Sequence, residues 1–115
     1  MGLTEIEMTY NVTLEDAGKA EVYLAETDTK FGEAVANVDR TKHLAKTVLA
    51  GQKAISKEKS NVAKEDWAIQ TPAYQEASEA HFAAIMKLKV LQAKRDRAHV
   101  KLDLFRTLEA SRRRT

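Results

Sequence analysis

From Tyr74 to Phe105 the chain repeats a 3-4 spacing: Tyr74, Ala77, His81, Ala84, Leu88, Leu91, Arg95, Ala98, Leu102 and Phe105. This is the period of a helix that buries one seam against another helix. Pro72, the only proline, biases Thr71 away from helical geometry and suits a first helical turn. The spacing therefore predicts a long helix over residues 72–111, followed by a basic tail, 112–115. A second apolar set, Phe82, Met86, Val90, Ala93, Val100, Leu104 and Leu108, lies off that seam. A helix apolar on two faces is buried on two faces. A second copy of the chain would cover the extra face, giving a dimeric four-helix bundle or a larger assembly. Alternatively, the connector and the N-terminal arm fold back over it.

The seam needs a partner helix, and residues 13–56 supply one. Thr13 suits a helix cap, and Glu15 and Asp16 suit the positive end of the helix dipole. Apolar positions then recur at Ala20, Leu24, Phe31, Ala34 or Val35, Val38, Ala45, Val48 and Ile55, while Gly18, Gly32 and Gly51 read as bends or close-packing points. Residues 57–71 form the connector. A short helix within it is expected to turn Val62, Ala63 and Trp67 or Ile69 inward. Residues 1–12 form an arm in which Ile6, Met8, Tyr10 and Val12 alternate with Glu5, Glu7, Thr9 and Asn11. That alternation is a strand signature, but the chain offers no second strand. The arm either pairs with its copy in another subunit or is an extended or helical tail. The predicted fold is all-α, in a single domain: a long antiparallel helical hairpin with a short connector helix, assembling into an oligomeric bundle.

Composition excludes several chemistries. The chain has no cysteine, so disulfides and thiolate metal sites are absent. It has no apolar run long enough to span a membrane and an acidic, signal-free N-terminus, which together predict a cytoplasmic protein. His43, His81 and His99 form no ligand pair at metal-binding spacing, and Glu65, Asp66, Glu76 and Glu79 read as helix-surface acids. No phosphate loop or nucleophile elbow is present. The expectation is a non-enzyme with no metal and no cofactor.

Charge is distributed unevenly. Residues 1–41 hold three basic and nine acidic side chains, residues 42–93 eight and five, and residues 94–115 eight and three. Arg95 interrupts the apolar seam and is expected to pair with a carboxylate across the hairpin, among Asp16, Glu21, Glu26 and Asp28. Lys94, Arg97, Lys101, Arg106, Arg112, Arg113 and Arg114 are the candidate nucleic-acid contacts. Clustered cations neutralise phosphates, and counterion release drives the binding. Tyr10, Trp67 and Tyr74 are candidate stacking platforms for unpaired bases. The competing reading is that an antiparallel hairpin lays the acidic start of the first helix beside these cations and neutralises them. Leu88, Leu91, Leu102, Phe105, Phe82 and Met86 are the candidate core and oligomer-forming positions.

One stretch carries a family likeness. Pro72 and Tyr74 open a helix that continues as Leu88-x-x-Leu91-x-x-Lys94-Arg95-Asp96-x-Ala98 and ends Leu104-Phe105-Arg106-Thr107-Leu108-Glu109-Ala110-Ser111-Arg112-Arg113. This resembles a group of short phage-encoded helical proteins found among phage recombination and replication genes. Members commonly end in aromatic-Arg-Thr, then a small residue, then Arg. Their aromatic is usually Trp where this chain has Phe105, and Asn is usual near Ser111. The likeness covers about the last 50 residues and implies an accessory role near DNA recombination, with single-stranded DNA or a recombinase as partner. The alternative is a protein-interaction module, an inhibitor or a scaffold, that binds no nucleic acid.

Overall fold

The computed structural model describes residues 12–114, and the fold is all-α, a long antiparallel helical hairpin with a short connector helix. Helix α1 spans Leu14–Ile55, α2 Asn61–Ile69 and α3 Pro72–Arg114. The alternating segment 5–12 lies outside the described residues except for Val12, which is buried and non-helical.

Each helix starts where its side chains satisfy the free main-chain N–H groups. At α1, the Asp16 N–H donates to Thr13 Oγ1 and the Thr13 N–H donates to Asp16 Oδ2, both at 3.1 Å. This is a reciprocal capping box with Asp in the position Glu often takes. Those bonds, with Lys101 and Lys19 nearby, hold the Asp16 carboxyl below its ordinary range. At α2, Ser60 Oγ accepts from the Ala63 N–H at 3.1 Å. At α3, the Gln75 N–H reaches the Thr71 carbonyl at 3.0 Å, and Pro72 occupies the first turn.

Helix α1 runs unbroken through its glycines, and a methyl group added at Gly18, Gly32 or Gly51 meets open space. They interrupt no hydrogen-bonded turn and are not close-packing points. In α2 the inward residue is Ala68, fully buried, while Val62, Trp67 and Ile69 are exposed. The expected inward orientation of Val62 and of Trp67 or Ile69 is thus corrected, while Ala63 is half-buried. The Ala68 carbonyl accepts from the Thr71 hydroxyl at 2.6 Å and from the Thr71 N–H at 3.1 Å. A turn tied this closely at Ala68 suits a methyl side chain and leaves the bulkier neighbours outside.

The chain divides into two compact units. One joins α1 up to Lys30 with α3 from Leu91, and the other is Phe31–Val90. In the first, Ala17, Ala20, Ala98 and Leu102 form a buried cluster, with Tyr23, Leu24 and Phe105 packed against it. Early α1 residues thus meet late α3 residues, as antiparallel pairing requires. Arg95 completes the seam. Its guanidinium donates to the Leu24 carbonyl at 2.9 Å, to Thr27 Oγ1 at 2.6 Å and to Asp28 Oδ1 at 2.7 Å. Thr27 commits its own proton to the Tyr23 carbonyl at 2.7 Å, which leaves its oxygen free to accept.

In the second unit the seam is interrupted in the same way. Thr41 Oγ1 donates to the Asn37 carbonyl at 2.8 Å and lies 3.1 Å from His81 Nδ1. The imidazole tautomer sets which of the two atoms donates in this bond. Thr41 lies two heptads after Thr27 and His81 two heptads before Arg95, so each unit pairs in the same antiparallel register. All ten seam positions of α3 are buried or half-buried, Leu88 and Leu91 included. The off-seam set divides. Leu108 is buried and Leu104 half-buried, whereas Phe82, Met86, Val90, Ala93 and Val100 are exposed.

Candidate nucleic-acid interface

The candidate cations lie on α3 after Val90, where the helix carries Lys94, Arg97, Lys101, Arg106, Arg112, Arg113 and Arg114, all exposed. Helical geometry separates them into groups. Lys94, Arg97 and Lys101 recur at spacings of three and four, so they share one face over about 10 Å of helix. Across from them, α1 presents Asp16, Lys19, Ala20 and Tyr23, and these residues with Ala98 line an open groove of about 330 Å³. The alanines let the two helices approach closely, so long cationic side chains at the edges frame a depression instead of filling it.

Arg106 and Arg114 come together further along, lining a shallow depression with Thr107, Ala110 and Ser111. Arg106 lies 3.7 Å from Asp103, and Arg112 donates to Glu109 at 2.8 Å. Both contacts lie within α3, at spacings worth a few tenths of a kcal/mol each (about 0.2–0.5). Trp67 and Tyr74, the candidate stacking residues, belong to the Phe31–Val90 unit, where Tyr74 is half-buried in the seam. Tyr10 lies outside the described residues.

Where the acidic start of α1 goes is informative. Among the described residues the one ion pair between helices is Arg95–Asp28, at 2.7 Å. Lys94, Arg97 and Lys101 make no ion pair there. Lys19 lies 3.2 Å from Glu15, a solvent-exposed contact one helical turn away. Among the described residues the acidic start of α1 thus forms no ion pair with Lys94, Arg97 or Lys101.

Two groove residues are invisible to the sequence reading. Lys19 and Tyr23 belong to the acidic first helix, and only the register brings them beside Lys94 and Lys101. Tyr23 is half-buried, and its hydroxyl is buried with no hydrogen-bond partner among the described residues. Knowing that Arg95 faces Thr27 would have been enough to find both.

No three His, Asp or Glu side chains gather as a metal site among the described residues, and none of their helices is long and apolar enough to cross a membrane. No family model, curated protein or solved structure matches the chain.

Proposed function

We propose that this is a non-enzymatic accessory protein of DNA recombination or replication, binding single-stranded DNA through the basic C-terminal part of α3. The observation that carries the reading is that Lys94, Arg97 and Lys101 share one exposed face of α3 and make no ion pair among the described residues. Exposed cations on one helix face attract a polyanion by counterion release, without base-specific contacts. The likeness of residues 67–114 to short phage-encoded proteins supports a phage origin and action in the host cytoplasm, with a phage or host recombinase as a second partner.

A salt titration of binding to a labelled single-stranded oligonucleotide, with duplex as comparator, tests this. The expected result is binding that falls steeply with salt and weakens in an Arg112→Ala, Arg113→Ala, Arg114→Ala triple variant. Failure to bind at low salt sinks the reading.

A second reading rests on a separate observation. Phe82, Met86 and Val90 are 65%, 60% and 51% exposed and follow one another at four-residue spacing. A contiguous apolar stripe marks an interaction surface. It suits a protein-interaction module, and it suits homo-oligomerisation, which we include in the proposal. Analytical ultracentrifugation of a Phe82→Ser, Met86→Ser double variant checks the latter, and an unchanged mass rules this stripe out as the oligomer contact.

A further inference from the structure

We infer that the groove between α1 and α3 seats a backbone phosphate of single-stranded DNA, held by Lys19, Lys94, Arg97 and Lys101. This rests on the DNA reading above and deepens it, because it makes α1 half of the site.

Two features converge on this assignment. Four cations and one carboxylate, Asp16, line the groove. Its net charge is therefore strongly positive at a place where α3 alone supplies only part of the lining, and that charge selects an anion over a neutral group. Lys19 shares its charge with Glu15 through an exposed contact, of the kind that exchanges readily for a better anion.

Asp16 opposes the ligand. Its carboxylate is fixed by the Thr13 capping bonds and cannot turn away without breaking them.

The test uses α1 variants, since these matter only if the groove is the seat. Salt titrations with labelled single-stranded oligonucleotide compare the full-length wild type with Lys19→Gln, Asp16→Asn and the Arg112–Arg114 triple variant. Lys19→Gln is expected to lower the log–log salt slope by about 0.7, the value for one phosphate contact on a single strand. Asp16→Asn tightens binding about twofold by removing a repelling charge, a gain that misfolding cannot mimic. If both α1 variants bind as wild type while the tail variant weakens binding, the groove is overturned and the DNA reading stands. If the wild type does not bind, both fall.

Discussion

The two units carry the same seam and differ in what interrupts it and in what they show to solvent. In the unit holding Leu91 onward, the interruption is a guanidinium that is only 13% exposed and, among the described residues, makes three hydrogen bonds, one of them to a carboxylate. In Phe31–Val90 it is a histidine with one bond to a threonine. A charge in a helix seam is tolerated only when its donors are met, and meeting them fixes the register. A ring with a single bond asks less of its neighbours and fixes less. The outer surfaces differ as well: exposed Lys94, Arg97 and Lys101 on the first unit and the Phe82–Met86–Val90 stripe on the second.

The largest effect is expected where the comparison rests on packing. Leu102→Asp places a carboxylate in the Ala17–Ala20–Ala98 cluster, and urea denaturation should show a loss of about 4 kcal/mol or outright unfolding. Arg95→Ala should cost about 2 kcal/mol, with charge-assisted bonds lost while Thr27 keeps its own bond to Tyr23. Arg95→Leu sharpens the point. It should keep most of the stability yet loosen the register, read as doubled amide resonances along α1, whereas a single set with full stability would show that Arg95 does not fix the pairing. His81→Ala should cost about 1 kcal/mol. A His81 cost equal to that of Arg95 would erase the distinction between the two interruptions.

The smallest effect is at the start of α1. The Asp16 carboxyl is held below 3.8 by its bonds to Thr13. A depressed carboxylate stabilises the fold at pH values above its unfolded pKa, and that contribution is lost as pH falls through the lower folded value. Fraying of the first turn of α1, followed by amide exchange, should therefore begin below pH 3.8 in the wild type. In Asp16→Asn, the pH dependence belonging to this cap should be gone.

The α3 seam was legible because its spacing holds over 32 residues, Tyr74 to Phe105, and because both of its polar members sit in register. The α1 seam was only partly legible. Thr27 and Thr41 belong to it but are polar, and Ala17 is small, so an apolar pattern passes over all three. The choice between Ala34 and Val35 falls to Ala34, buried, with Val35 41% exposed. Close approach of two helices selects methyl groups, and hydrophobicity alone would have favoured valine. The same preference put Ala68 inside and Val62 outside. Lys94, Arg97 and Lys101 could be named from sequence as cations on one face. Lys19 and Tyr23 could not, because their place beside α3 depends on the register between two helices, which one helix's sequence does not contain.

The most direct test of the account is an amide NMR titration of the isotope-labelled protein with a single-stranded oligonucleotide. The account predicts shift changes concentrated at Lys19–Tyr23, at Lys94–Lys101 and toward Arg114, with Phe82–Val90 unmoved. Changes centred on Phe82–Val90 with the basic segment silent, or no changes at low salt, would contradict it.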